Sequence, residues 1–173
     1  MNIDLASVGN IAKQIDVSLD PTEIDLDGEN VRLTAKVMLR GDLERLDARA
    51  HLRGTITTDV FLDCTRCLEP VERHLEFPVR AIFVDSTYDN TAAEAEISDE
   101  ALDDSVVQDG KLDLAEVVRE QILLSLPEQI FCREDCKGLC PKCGANLNLI
   151  DCKCANDEVD PRWEALRELK TKS

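Results

Sequence analysis

The chain contains 173 residues, of which 43% are hydrophobic, and its formal net charge is −16. A chain of this length buries enough apolar surface to fold as one domain without disulfides, and its acidity argues against strong non-specific binding to nucleic acid. The acidity is uneven, because residues 85–131 hold thirteen acids and two bases whereas residues 31–84 hold eight acids and nine bases. The near-neutral segment leaves room for one modestly basic face.

The N-terminal segment lacks the features of a secretory signal. It has no basic n-region and no uninterrupted apolar h-region, and it carries Asp4. No run in the sequence approaches the roughly 18 apolar residues of a membrane span. We therefore expect a cytoplasmic protein whose thiols stay reduced.

Alternating apolar residues in the first half of the chain predict a sheet. In residues 31–39 the odd positions are apolar and Arg32, Thr34 and Lys36 lie between them, which is typical of a half-buried strand. Similar patterns occupy residues 15–20, 48–62 and 75–83. Pro78 in the last of these favours an edge strand or a bulge. The expected core is an antiparallel sheet or partial β-barrel with one face in water, and its expected turns include Asp27-Gly28 and Gly41-Asp42.

Two helices are predicted in the second half of the chain. Residues 112–126 carry apolar residues at helical spacing, with Asp113 suited to cap the N-terminus and Pro127 to end the helix. This helix is expected to cover the sheet. A terminal helix is predicted at residues 160–170, where Trp163 would anchor it to the rest of the protein.

The expected fold class is α+β, with a cysteine-rich tail. The β-rich core would comprise residues 1–131 and the tail residues 132–173, docked on the core. Residues 85–110 contain nine acids and no lysine or arginine, and they lack an apolar stripe. This composition predicts an acidic loop within the core domain.

Six of the eight cysteines lie between residues 132 and 154. Disulfides, a redox centre or metal binding could use so many neighbouring thiols. Disulfides are not expected in a reducing compartment, and a bridge between Cys152 and Cys154 would be strained. A redox pair usually begins a helix after a strand, whereas the Cys64-Thr-Arg-Cys67 segment continues in extended form. Metal binding is therefore the favoured chemistry.

The spacing of the cysteines predicts how they share metal ions. Cys140-Pro-Lys-Cys143-Gly is a knuckle that brings two sulfurs to one ion, and Cys152 and Cys154 can complete a tetrahedral zinc site. A possible second site would clip the sheet to the tail, and its ligands would be Cys64, Cys67, Cys132 and Cys136.

Two alternatives to a pair of zinc sites stay open at this point. A single site could combine Cys132 or Cys136 with the knuckle and leave spare thiols. An iron–sulfur cluster also accepts four thiolates. One or two zinc ions are expected, and a closed tetrathiolate site supports folding because it keeps no open coordination position for hydrolysis.

The sequence contains no recognisable catalytic constellation. A glycine-rich phosphate loop, a Ser/His/Asp order and an HExxH motif are all absent. We therefore predict that the protein is not an enzyme and has no small-molecule substrate. A thiol redox enzyme is a remote alternative, since it would require an exposed cysteine of low pKa.

Several segments, in one order, carry a resemblance to a known family. They are LDCTRCLEPVE (62–72), DGKLDLAEVVREQILLSLP (109–127), CKGLCPKCGANLN (136–148), the Cys152-Lys-Cys154 pair and DPRWEALRELK (160–170). Together they resemble the YceD family, the large ribosomal RNA subunit accumulation proteins. The family's CxRC motif corresponds to Cys64, Arg66 and Cys67. The resemblance implies a non-enzymatic role in synthesis, processing or stability of 23S ribosomal RNA and in large-subunit assembly.

Two mechanisms would agree with this resemblance. In the first, the protein binds ribosomal RNA through cations on the wet face of the sheet and around the metal. These cations are Arg32, Lys36, Arg49, Arg53, Lys137, Lys142 and Lys153. In the second, the acidic segments hold a basic large-subunit ribosomal protein until it is delivered, so the RNA accumulates indirectly.

Overall fold

A computed structural model describes residues 2–26, 30–86, 104–154 and 162 of the chain. Eight strands and one α-helix are formed within these ranges. They are β1 (Asn2–Asp4), β2 (Lys13–Leu19), β3 (Val31–Leu33), β4 (Val37–Leu46), β5 (Arg49–Asp63), β6 (Pro70–Asp85), β7 (Asp104–Val107), β8 (Lys111–Asp113) and α1 (Leu114–Ser125). The helix in this part of the chain is not long and apolar enough to cross a membrane.

The main sheet has the strand order β2-β4-β5-β6-β7, and β3 pairs with β5 beyond the end of β4. Its neighbouring strands are antiparallel except for β6 and β7, which are parallel. A separate antiparallel pair is formed by β1 and β8. The described residues are thus mostly sheet with one helix. Their strands form an open sheet and give no support to the partial-barrel alternative.

The alternation predicted from the sequence produces one buried and one wet face. Leu52, Ile56 and Val60 of β5 are 0% exposed, whereas Arg53 between them faces solvent. The predicted strands at 48–62 and 75–83 lie within the longer β5 and β6. The strand predicted at 31–39 is instead divided into β3 and β4. Among the described residues, β6 is paired at Pro78 with β5 on one side only, since β7 pairs with residues 82–85.

The helix α1 closes one side of the core. Asp113 caps its N-terminus, because the Asp113 side chain accepts a hydrogen bond of 3.0 Å from the backbone N–H of Ala115. Its buried residues belong to the same apolar core as the sheet, and they are Leu114, Val117, Val118 and Ile122. The predicted helix and its cap are confirmed, although the helix itself begins at Leu114 and ends at Ser125.

The turn predicted at Gly41-Asp42 is wrong, because both residues lie inside β4. Gly41 faces Gly54 of β5, and a Cβ atom at Gly41 would lie 2.1 Å from the carbonyl oxygen of Arg53. The glycine therefore permits a close approach of two strands. The chain reverses instead after Leu46, where Asp47 adopts a positive φ of 55°.

Other predictions concern residues outside the described ranges. These are the Asp27-Gly28 turn, the greater part of the acidic loop, and the terminal helix at 160–170 with Trp163. At the end of the predicted loop, residues 104–107 form β7 and pair with the end of β6. The division into domains at residue 131 stays a prediction.

Candidate metal centres

The eight cysteines form two groups of four, and all eight are free thiols. We call the first group the sheet cluster, which consists of Cys64, Cys67, Cys132 and Cys136. We call the second the tail cluster, which consists of Cys140, Cys143, Cys152 and Cys154. Within each cluster, all sulfur atoms lie within 4.8 Å of one another. The structure thus brings together the two sets of thiols that the spacing predicted.

The sheet cluster joins the end of the longest hairpin to the tail. Cys64 and Cys67 lie in the loop between β5 and β6, which is closed by hydrogen bonds from Cys64 N–H to the Glu69 carbonyl and from Leu68 N–H to the Cys64 carbonyl. The other two thiols come from residues 132–136. Sulfur–sulfur distances are 3.9 Å between Cys64 and Cys136 and 3.6 Å between Cys67 and Cys132.

The surroundings of the sheet cluster shift the pKa values of its thiols in opposite directions. Burial disfavours the thiolate of Cys64, but backbone hydrogen bonds, first that from Arg66, outweigh burial and lower the pKa of Cys64 to about 6. At Cys67 a backbone hydrogen bond from Glu69 favours the thiolate. Burial and the neighbouring thiols outweigh it and raise the pKa of Cys67 to about 12. Without a cation the thiols must share protons, because four adjacent thiolates would repel one another.

Backbone contacts outside the cluster also fasten the tail to the β5–β6 loop. The backbone N–H and the hydroxyl of Thr65 both donate to the Ile130 carbonyl, at 2.8 and 3.0 Å. The N–H of Leu139 donates to the Arg66 carbonyl at 3.1 Å. Gly138 has a φ of 76°, and a Cβ there would lie 3.0 Å from the same carbonyl. The tail therefore packs directly against the loop.

Arg66 holds the tail from within the cysteine loop. Its Nη1 donates to the carbonyl oxygens of Cys136 at 3.0 Å and Glu134 at 3.2 Å. Its guanidinium lies 4.1 Å from the centre of the Phe131 ring, which allows a cation–π interaction. In the sequence, Arg66 was recognised only as part of the CxRC motif. Its position between two cysteines is the signal that could have indicated a structural role.

We expect Arg66→Ala to lower the free energy of unfolding by about 2 kcal/mol, because two carbonyl partners and the ring contact are lost together. Zinc loaded into the sheet cluster in vitro should also be released faster than from the unmodified protein, as measured with a chromogenic chelator. The matched control is Arg133→Ala, since Arg133 pairs with the exposed carboxylate of Asp135 at 3.4 Å and should matter little. Equal zinc release from the two variants would contradict this role.

The tail cluster is built on a small hairpin. Leu139 and Asn146 form an isolated antiparallel bridge, and the N–H of Leu147 donates to the Gly138 carbonyl at 2.9 Å. The N–H of Gly144 donates to the Cys140 carbonyl, and Gly144 takes a φ of 71° as the knuckle requires. Cys140 is buried, Cys152 is half-buried, and the other two thiols are exposed.

Backbone dipoles in the knuckle favour an anionic sulfur at Cys140. Hydrogen bonds from the backbone of Cys143 and Lys142 lower the pKa of Cys140 to about 6. The neighbouring thiols act in the opposite direction at Cys154, where their hydrogen bonds raise the pKa to about 12. Thiolates are the form that binds a metal, so these donors prepare the site for a cation.

Asn148 links the two clusters. Its side-chain Nδ2 donates to the sulfur of Cys136 at 3.3 Å, and its Oδ1 accepts from the N–H of Lys137 at 2.8 Å. Asn148 therefore belongs to the hairpin of the tail cluster but contacts a thiol of the sheet cluster. Side chains that hydrogen-bond to a ligand atom orient metal ligands in proteins. Sequence reasoning missed Asn148, because asparagine next to a cysteine-rich segment carries no specific signal.

Both clusters could hold a metal ion. A tetrahedral zinc site with bonds near 2.3 Å places its sulfurs about 3.8 Å apart. The distances of 3.6 and 3.9 Å in the sheet cluster agree with that value. Each cluster offers four sulfur donors, and no other candidate ligand joins them among the described residues, which suits a closed structural site.

The cations predicted to contact a partner are distributed over two surfaces. Arg32, Arg49 and Arg53 share the wet face of the sheet, by the register of β3 and β5. Each has an acidic partner: Asp63 at 3.7 Å, Asp104 at 2.8 Å and Glu44 at 3.9 Å, respectively. Lys36 is exposed and pairs with Asp20 at 3.2 Å. The tail lysines Lys137, Lys142 and Lys153 are exposed around the clusters. A role of these seven cations in binding a partner stays a prediction.

Comparisons with known proteins place the chain among relatives from bacteria and plants. It is 29% identical to an uncharacterised protein of Mycobacterium tuberculosis, over 98% of this chain and 81% of that protein. It is 28% identical to the uncharacterised protein YlbN of Bacillus subtilis, over 90% of this chain and 87% of that protein. No solved structure matches the chain.

A plant relative carries a descriptive name. The large ribosomal RNA subunit accumulation protein YCED homolog 1, chloroplastic, of Arabidopsis thaliana is 28% identical over 78% of this chain and 48% of that protein. A family model described as large ribosomal RNA subunit accumulation protein YceD matches residues 52–170, a range that includes both thiol clusters. Because the matched residues make up more than half of the chain, the chain belongs to the YceD family.

Proposed function

We propose that the protein is a non-enzymatic ribosome-biogenesis factor. It would support the synthesis, processing or stability of 23S ribosomal RNA and hence the assembly of the large ribosomal subunit. The family match over residues 52–170 carries this proposal, together with the names of the plant relatives.

The two clusters would each bind one zinc ion and serve as structural sites. Four sulfur donors leave no open position for a substrate or an activated water, so the ions would hold the tail in place and take no part in a reaction. Three of the four thiols in the sheet cluster are buried, which also argues against a redox enzyme that exposes a reactive cysteine.

The favoured mode of action is direct contact with ribosomal RNA. The wet face carries Arg32 and Arg53, whose side chains are 67% and 65% exposed. Their ion pairs are worth about 0–1 kcal/mol each, so phosphate can replace the carboxylates at small cost. Arg49 differs, because the side chain of its partner Asp104 is only 8% exposed and would be left unpaired.

The second candidate is a carrier for a basic ribosomal protein. The net charge of −16 supports it, since opposite charge speeds and orients the association of two proteins. In this mode the cations on the sheet would remain paired with their acids. Binding would then depend on the acidic surface and be insensitive to charge reversal at the wet face.

Depletion of the protein in its own cells tests the proposed function. We expect 23S RNA to fall relative to 16S RNA and large subunits to become fewer in sucrose gradients. A plasmid copy should restore both, whereas a copy carrying Cys64→Ser should not, because the tail would detach. An unchanged ratio of the two RNAs after depletion would overturn the proposal.

Purified protein distinguishes the two modes of action. Binding to 23S RNA fragments and to isolated large-subunit proteins is measured over a salt series. Binding to RNA that weakens with salt supports direct contact. Binding to basic ribosomal proteins alone supports the carrier.

A further inference from the structure

Two arginines face each other on the neighbouring strands β5 and β6. Arg53 of β5 and Arg80 of β6 are directly paired in the antiparallel register, so their side chains leave the same face. Both residues are exposed. Like charges in directly opposite positions destabilise a sheet. A bound anion would relieve this repulsion.

The acids around this pair compensate it weakly. Other arginines on the face have close partners, such as Arg40, whose Nε lies 3.3 Å from Asp16. Arg53 lies 3.9 Å from Glu44 and is directly opposite Asp42 of the neighbouring strand β4. Within the described ranges, no acid lies at ion-pair distance from Arg80. Of the described arginines on the wet face, Arg80 is therefore the one whose charge is least neutralised.

A groove adjoins the arginine pair. Its volume is about 500 Å³, which is within the usual range of ligand sites. Side chains on the wet face contribute an imidazole and two apolar groups to its lining, and these belong to His51, Pro78 and Ile82. The groove thus combines two guanidinium groups with surfaces on which a ribose or a base can rest.

We propose that Arg53 and Arg80 form a phosphate clamp for the backbone of single-stranded RNA. This inference rests on the proposed function and assigns its contact to a particular place. Guanidinium groups suit phosphate because their planar N–H donors match its oxygens in pairs. The edge of β6 beside Pro78 has no neighbouring strand among the described residues, so an extended strand of RNA can pass along it. Recognition is of the backbone and is insensitive to base sequence.

Fluorescence anisotropy with a labelled mixed-sequence RNA oligonucleotide tests the clamp. The zinc-loaded full chain is titrated at several salt concentrations, beside the variants Arg80→Gln, Arg53→Gln and Arg40→Gln. We expect Arg80→Gln to weaken binding about tenfold and to lower the slope of log K against log salt by about 0.7. Arg53→Gln should act in the same direction. Arg40→Gln is the control, because Arg40 lies on the same face but does not line the groove beside Arg53 and Arg80.

The outcomes separate this inference from the proposed function. If the unmodified protein binds RNA and Arg80→Gln behaves like Arg40→Gln, the clamp is wrong while the proposed function stands. If the unmodified protein binds only ribosomal proteins, both the clamp and direct RNA contact are wrong. Complete displacement of the labelled RNA by inorganic phosphate at the same concentration as the RNA would show a site for small phosphates and overturn the assignment to RNA. Melting temperatures verify the fold, and Arg80→Gln should melt no lower than the unmodified protein because it removes a like-charge pair.

Discussion

Replacing Cys64 with serine should lower the free energy of unfolding by about 4 kcal/mol or more and remove one metal ion per chain. Cys64 is 0% exposed and belongs to the apolar core, together with Cys67 and Cys136. Loss of its sulfur opens the sheet cluster, leaves the remaining thiols to share protons, and frees the tail from the β5–β6 loop. Denaturant unfolding followed by circular dichroism, with zinc analysis of the same samples, measures both effects.

The stripped protein provides the control for Cys64→Ser. Removing metal from the unmodified chain with a chelator should destabilise it at least as much as the substitution does, and added zinc should restore only the unmodified chain. This comparison separates loss of the ion from the cost of burying a hydroxyl. Equal stability of the loaded and stripped protein would show that metal binding contributes nothing to the stability of the fold.

Replacing Cys143 with serine should remove the other ion but leave the sheet intact. Cys143 is exposed, and its cluster lies outside the apolar core that contains three thiols of the sheet cluster. We expect hydrogen exchange to lose protection at Leu139, Gly144 and Leu147, whose N–H groups bond within or beside the hairpin. The global free energy of unfolding should fall by about 1–3 kcal/mol, less than for Cys64→Ser, because few core contacts are lost and the sheet cluster keeps its four ligands.

The Cys143 variant should also weaken zinc binding at the sheet cluster. Asn148 reaches the sulfur of Cys136 from the hairpin, and loss of such a supporting contact typically lowers metal affinity by about 10–100-fold. Competition with a chelator of known affinity measures the change. Asn148→Ala is the matched variant, which should reproduce the weaker binding while keeping both ions. Unchanged affinity in both variants would show that the clusters are independent.

The pairing of the thiols was predictable because ligand number and spacing restrict it. The knuckle from Cys140 to Cys143 and the pair at Cys152 and Cys154 need only a short return of the chain, and the remaining four thiols then complete a second set. The contact between Cys67 and Cys132 could be proposed only by elimination. It depends on how the sheet and the tail pack, since 65 residues separate the two thiols.

Strand patterns were predictable where one face is buried, but local turn chemistry misled at Gly41. Glycine next to aspartate is common in turns, whereas here Gly41 meets Gly54 of the neighbouring strand. That partner is set by the register and is not visible in the local sequence. The parallel strand β7 was missed for a similar reason, because its four residues follow an acidic segment and carry no clear alternation.

Charge compensation was the least predictable feature of the candidate surface. Arg49 and Asp104 meet at 2.8 Å although 55 residues separate them. The sequence therefore indicated Arg49 as an available cation, whereas the structure pairs it with a buried carboxylate. Conversely, Arg80 received no attention from sequence reasoning, because its relation to Arg53 exists only after β5 and β6 have paired.

The proposal that both thiol clusters are closed structural zinc sites is tested most directly by the metal content of undenatured protein. Native mass spectrometry and elemental analysis measure the metal, and alkylation measures the access to the thiols. We predict two zinc ions per chain, no iron, and protection of all eight cysteines from alkylation until a chelator is added. A folded, metal-free protein whose eight thiols react at once, without change in its circular dichroism, would contradict it.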